Sequence, residues 1–396
     1  MNAIRTHRLL VAALLALTSA CAHGEPREID PWHWQGVERV VAVGDLHGDY
    51  EQYMKVLRSA GLVSAHGKWT GADTHLVQTG DVPDRGPDTR KIIDHLANLK
   101  VQAARKGGRV HTLIGNHEAM NSYGDLRYTD PGEFAAFRGP DSERYRERQW
   151  EFTLNRIKQI KPEEFLTMDL DKYRAEWEQK VPLGWVEHRL AWTPDGEYGQ
   201  WVLSNPVAIQ INGTIFVHGG LGPAYCRLSL EQLTEQAHEE LMHYDPEATG
   251  VIDDENGPLW YRGLATEEEQ AFGPVLDQIL ERYGAQRIVV GHTPTGGVVW
   301  PRFDARVIVN DTGIAAYYGG NDAFLVLEGD SAVAGYEDIR LPIPGDPQER
   351  LDYLREVIAL KPDNGELKVL LAELQKPAPE AELATETVPV SPGICQ

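Results

Sequence analysis

Three times in the first third of the chain, an apolar run climbs into a glycine and stops on a polar group. The runs are RVVAVGD (39–45), THLVQTGD (74–81) and RVHTLIGNHE (109–118). Each is short and apolar, as a buried strand is. Between them, YEQYMKVLRSAGL and PDTRKIIDHLANLKVQAARK repeat apolar residues at helical spacing, and Pro87 fits the first turn of the second helix. Strand, helix, strand, helix, strand is the order of βαβ units, which predicts an α/β fold around a largely parallel sheet.

The rest of the chain divides by texture. Residues 124–200 are charged, aromatic and helically periodic, and read as a helical insertion. Its aromatics (Phe134, Tyr145, Trp150, Tyr173, Trp177) either form a core of its own or pack over a ligand. Short strands return in WVLSNPVAIQINGTIFVHGG (201–220), where Asn212-Gly213 between two apolar runs signals a hairpin. Helices near 229–243 and 273–284 and strand ends at RIVVGHTPTGG and RVIVNDTG follow, so a second sheet is expected to pack on the first. A core of 36–342 is then followed by two helices joined at KPDNG (343–375) and a Pro-, Ala- and Glu-rich tail (376–396) expected to be disordered.

A net charge of −22 argues against a nucleic-acid partner, which requires clustered Lys and Arg, and any anionic substrate must meet local positive charge. The start combines Arg5 and Arg8, the run LLVAALLALTSA and small residues around Cys21, the form of an export signal (1–22). A periplasmic location is expected, and TSAC also resembles a lipoprotein processing site that would tether the chain to a membrane through a lipidated Cys21. Only Cys226 and Cys395 remain, too few for a disulfide framework to be what stabilises the domain.

Ligands of open α/β sheets gather beyond the carboxyl ends of the strands. Those ends carry Asp45 and His47, Asp81, Asn116 and His117, His218 and His292, almost all beside glycine. Alone, Asp45 would cap a helix, Asn116 would make a turn, and His218 or His292 would be a hydrogen-bonded core residue. Capping does not explain five strand ends carrying this set together. Oxygen and imidazole donors without cysteine suit Mn, Fe or Zn, and Asp81, midway in the order, could bridge two ions.

The ordered motifs GDLHG, GDVPDRG, GNHE, HGG and GHTP, within 38–330, resemble those of the calcineurin-like metallophosphoesterases. Within that superfamily they are most similar to the phosphoprotein phosphatase branch and its Shewanella-like protein phosphatases. The resemblance implies a two-sheet β-sandwich flanked by helices (αββα) and two divalent or mixed-valence metal ions. Asp45, His47 and Asp81 would hold the first ion, and Asp81, Asn116, His218 and His292 the second. His117 would protonate the leaving oxygen, Asp84 would orient His117, and Arg85 and Arg262 would grip phosphate. Pro294 stands where many relatives outside this branch carry a last histidine, and Ile114 and NDTGIAAYYGG replace an arginine and a loop of the eukaryotic Ser/Thr enzymes.

The expected activity is therefore hydrolysis of a phosphomonoester, a phosphorylated protein or small molecule, with water activated between the cations attacking phosphorus in line. A symmetrical dinucleoside polyphosphate hydrolase shares the motifs, but export separates it from cytoplasmic dinucleotides. A broad-specificity small-molecule phosphatase would carry them as well, and so would a catalytically inactive relative that binds phosphopeptides. Occupancy of every ligand and acid position by a competent residue type argues against the inactive form.

Overall fold

The computed structural model describes residues 27–376 and 393–395. The expected export signal and Cys21 lie outside them. Among the described residues, no helix is long and apolar enough to cross a membrane.

The strands in chain order are β1 (Arg27–Asp30), β2 (His33–Gln35), β3 (Arg39–Val43), β4 (His75–Gln78), β5 (Arg109–Thr112), β6 (Ala208–Ile211), β7 (Thr214–Val217), β8 (Arg287–Val290), β9 (Trp300–Arg302), β10 (Val307–Val309), β11 (Ala323–Glu328), β12 (Ser331–Tyr336) and β13 (Ile339–Pro342). They form two sheets, ordered β1-β2-β6-β7-β8-β10-β9 and β13-β12-β11-β3-β4-β5. The strands of the repeated motif, β3, β4 and β5, are parallel, and so are β7, β8 and β10. The expectation of a largely parallel sheet needs correction, because β11, β12 and β13 run antiparallel and each sheet is mixed. Hairpins bring the chain straight back: Asn212 and Gly213 hold φ of 49° and 78°, the primed turn that suits strand twist.

Alternation along the strands sorts the core. Val40 and Ala42 of β3, Val77 of β4, Phe216 of β7, Val289 of β8 and Ile308 of β10 belong to one cluster drawn from both sheets. Their neighbours Val41, Val43, Leu76, Val217, Val290 and Val309 join helix residues such as Leu57 and Ile92 in the other. Strands buried on both faces read as continuous apolar runs. The helices Pro347–Leu360 and Gly365–Leu374 add Tyr353, Leu354, Val357 and Leu367 to the inter-sheet cluster. Tyr353 Oη anchors them by donating to Val299 O at 2.9 Å.

The helix after β4 starts later than its sequence suggests. It spans Thr89–Ala104 with Asp88 at its N-cap, so Pro87 precedes the cap. The residues before it are taken up by a loop in which Asp84 and Arg85 both hold positive φ. In the insertion, Trp150, Trp177 and Val181 form a small core with Tyr173 beside it, so these aromatics pack on one another.

Most of the tail expected to be disordered, residues 377–392, lies outside the described residues, and its described end is tied down. Cys395 is bonded to Cys226 across a sequence separation of 169 residues, and Gln278 Oε1 accepts the N–H groups of Gly393 and Ile394. The tail's end is therefore fastened to the body, and a single crosslink closes most of the second half of the chain. Cys395→Ser is expected to cost about 2–4 kcal/mol of stability, because the crosslink restricts the unfolded chain. Guanidinium unfolding should show a lower midpoint; an unchanged midpoint would confine the bond's effect to the tail.

Candidate active site

The carboxyl ends of β3, β4, β5, β7 and β8 meet where the two sheets converge, and the side chains predicted there come together. Asp45, His47, Asp81, Asp84, Asn116, His117, His218 and His292 are all buried. Asp81 is central: its carboxylate lies 3.3 Å from His218 Nε2, 3.9 Å from His47 Nε2 and 3.8 Å from His117 Nε2. Asp45 Oδ2 is 4.0 Å from His47 Nε2, and its carboxylate accepts the backbone N–H of His292 at 3.2 Å. Asn116 Oδ1 lies 2.9 Å from His218 Nε2. Two groups of donors, His47–Asp81–His117 and Asp81–His218–His292, each lie close enough to hold a metal ion and share Asp81.

The backbone is bent to achieve this. His47, Asp81, Asp84, Arg85 and His292 all adopt left-handed conformations, with φ between 45° and 73°. Such residues cost on the order of 1–3 kcal/mol each and persist where surrounding contacts hold them. Glycine makes room: a Cβ on Gly115 would lie 2.3 Å from Asp81 Oδ1. Glu118 clamps the same turn, its carboxylate accepting the N–H groups of Asp81, Val82 and Gly115 at 2.9, 2.7 and 2.8 Å.

The histidines are oriented as ligands. His47 Nδ1 faces Pro83 O at 3.2 Å and His218 Nδ1 faces Thr79 O at 2.9 Å. Donation to these carbonyls leaves each Nε2 lone pair turned toward Asp81. His292 Nε2 is buried with no hydrogen-bond partner. Burial, followed by the neighbouring His117, lowers His47 to about 4; burial, His218 and Arg262 take His292 well below the ordinary range. Both rings are thus neutral, the form that binds metal. Burial alone would raise Asp81, but His218, His117 and His47 outweigh it and hold the carboxyl well below its usual range. Burial, Asp311 and Asp81 push Asp45 well up, a crowding of carboxylates that a cation relieves. Donor types, orientations and the orphaned nitrogen all fit divalent metal.

His117 differs. Burial lowers its pKa, but Asp81 and then Asp84 outweigh burial and raise it. Its Nδ1 lies 2.5 Å from Asp84 Oδ2, and Asp84 Oδ1 is held by Asn121 Nδ2 at 3.1 Å and Thr129 Oγ1 at 2.9 Å. Arg85 makes no ion pair among the described residues; its Cζ lies 4.0 Å over the Tyr128 ring and 4.8 Å over Tyr317. Arg262 also forms none among them, and its Nη1 donates to His292 O at 2.6 Å and Thr293 Oγ1 at 3.1 Å. Pro294 is exposed. The sequence reading missed Asp311, whose pKa burial raises to about 6, although NDTG ends a strand just as GD does. It also missed Glu118, Asn121, Thr129, Tyr128 and Tyr317.

Residues 38–296 match the calcineurin-like phosphoesterase family. This chain is a calcineurin-like phosphoesterase. The phosphoesterase is 31% identical over 282 residues to Shewanella-like protein phosphatase 2 of Arabidopsis thaliana, covering 67% of this chain and 68% of that protein. An uncharacterized protein of Schizosaccharomyces pombe is 35% identical over 297 residues, covering 72% of this chain and 76% of its own length. Among solved structures, the cold-active protein-tyrosine phosphatase of a psychrophilic Shewanella sp. is similar, with a TM-score of 0.59 and 27% identity. The match covers 80% of this chain and 83% of that one. The fold is that of the family, two multistranded sheets flanked by helices, and the phosphoesterase is a hydrolytic phosphatase with candidate sites for the family's divalent metals.

Proposed function

We propose that this phosphoesterase is an exported, metal-dependent phosphomonoesterase acting on phosphotyrosine in proteins. The carrying observation is an aromatic collar around the candidate phosphate arginine. The Tyr128 ring under Arg85 is also 5.3 Å from the His117 ring, and Tyr318 lies 5.0 Å from the His47 ring. Tyr317 is 63% exposed, on the solvent side, where a substrate would arrive. An aryl group leaving beside His117 would meet ring faces, a contact that an alkyl ester of serine makes less well. A structural relative described as a protein-tyrosine phosphatase supports this choice. The Cys226–Cys395 bond supports export, since disulfides persist in oxidising compartments.

In this reading Asp45, His47 and Asp81 hold one cation, and Asp81, Asn116, His218 and His292 the other. When bound, two such ions make water nucleophilic near neutral pH and neutralise phosphoryl oxygens. Arg85 presents a planar fork to two phosphate oxygens, kept in place by Tyr128 and Tyr317. Arg262, tied to His292 O, adds positive charge beside His292. His117, fixed through Nδ1 by Asp84, aims Nε2 inward and delivers its proton to the departing oxygen.

The test is kinetics on phosphotyrosyl, phosphoseryl and phosphothreonyl peptides with Mn, with and without a chelator. The expected result is kcat/KM about 2- to 10-fold higher for phosphotyrosine, the scale of a ring contact, and loss of all three activities with chelator. Equal rates on the three peptides would favour a broad phosphatase.

A further inference from the structure

Asp84 and Arg85 are consecutive left-handed residues, with φ of 73° and 66°. One carries the carboxylate that orients His117, the other the candidate phosphate fork, so the loop's conformation sets the aim of both. The loop is gripped from the helical insertion. Glu133, on the helix Pro131–Ala136, is 2% exposed, and its Oε1 accepts the backbone N–H of Asp84 at 2.9 Å. Thr89 Oγ1, in the first turn of the next helix, donates to the same oxygen. The second oxygen, Oε2, has no hydrogen-bond partner. It faces His188 Nε2 at 3.6 Å, beyond hydrogen-bond reach, and that ring is boxed in by Phe134 and Phe137, each 5.1 Å away.

Burying a carboxyl group is costly unless it is hydrogen-bonded, and among the described residues the bonds it accepts lead to the catalytic loop and the helix that follows it. We propose that Glu133 is a positioning residue of the phosphatase reaction. Through Oε1 it pins the Asp84 N–H, and with it the left-handed turn, so that the insertion sets the alignment of His117 and Arg85. This rests on the reading of His117 as the proton donor. The role requires an acceptor at that point in space, not a negative charge. Glutamine keeps the acceptor where it is, whereas aspartate keeps the carboxyl group but withdraws it by one methylene.

The two substitutions therefore separate the position of the acceptor from the presence of a carboxyl group. The test compares wild type, Glu133→Gln and Glu133→Asp as Mn-loaded full chains on phenyl phosphate, a poor leaving group, and 2,4-dinitrophenyl phosphate, a good one. Glu133→Gln is expected to stay within about 3-fold of wild type on both esters. Glu133→Asp should lose about 10²-fold on phenyl phosphate, the low end for a displaced general acid, and much less on the dinitrophenyl ester. Equal losses of Glu133→Asp on the two esters, or a loss in Glu133→Gln matching that of Glu133→Asp, would overturn the proposal. Should Glu133→Asp not fold, Glu133→Ala takes its place beside Glu133→Gln: a loss on phenyl phosphate confined to the alanine variant upholds the proposal, and no loss in it, or an equal loss in both, overturns it. His117→Asn is the control. If it shows the leaving-group dependence while Glu133→Asp does not, only the positioning role fails; if it shows none, the proton-donor reading fails as well.

Discussion

Asp81→Asn is expected to abolish turnover and metal retention together. Both candidate ligand groups share this one carboxylate, and the substitution changes its charge while nearly preserving its shape. The ionised side chain is poised for that use, since three histidines hold it well below the ordinary carboxyl range despite full burial. An amide at this position leaves His47 and His218 without the anion that completes either site, so neither cation is held firmly. Because electrostatic stabilisation is usually the largest contribution to such a reaction, the fall in kcat/KM should be on the order of 10³-fold or more. Two measurements independent of activity accompany it. Elemental analysis should find the purified variant depleted of metal. Added Mn should raise the melting temperature of the wild type, by linkage, and leave the variant's unchanged. A variant that kept its metal and turned over normally would remove Asp81 from the centre of the site.

What could be read from sequence was what is local. A strand that runs into glycine and then a donor announces its end within a few residues, and five such ends together made Asp45, Asp81, Asn116, His218 and His292 legible as a set, though each alone reads as a cap, a turn or a core residue. The Asn212-Gly213 hairpin was visible for the same reason: the turn needs two left-handed residues, and the pair advertises them. What escaped depends on closure of the whole chain. Tyr317 lies beside Arg85 across 232 residues, Cys395 meets Cys226 across 169, and Glu133 reaches Asp84 across 49. No periodicity links such partners, and each taken singly looks like an ordinary surface or helix residue. Glu118 was hidden differently. It sits in the first turn of the helix Asn116–Tyr123, where an acidic residue is common, and only the structure directs its carboxylate back onto the turn carrying Asp81. Pro87 misled because prolines are frequent in first turns, whereas here the loop needed the residues before Asp88.

His117→Asn separates two roles that distance alone leaves equivalent. Nε2 of His117 is 3.8 Å from Asp81 Oδ2, close enough to join His47 as a ligand. Its other nitrogen argues for proton donation: Asp84 lies 2.5 Å from Nδ1, and Asp81 and Asp84 together raise its pKa where His47 and His292 are lowered. A ligand must be neutral and an acid must be charged, so the surroundings of His117 favour the acid. Asparagine occupies similar space near the backbone but supplies no proton. The expected result is a loss of about 10²–10⁴-fold in kcat on phenyl phosphate, the range of a general acid. On 2,4-dinitrophenyl phosphate, whose leaving group departs without protonation, the rate should fall far less, and metal content should match the wild type. The ligand role predicts the opposite pattern, with metal content reduced and both esters slowed alike. Measuring both esters and bound metal in one preparation therefore tells the two apart, and unchanged turnover on phenyl phosphate would exclude His117 from either.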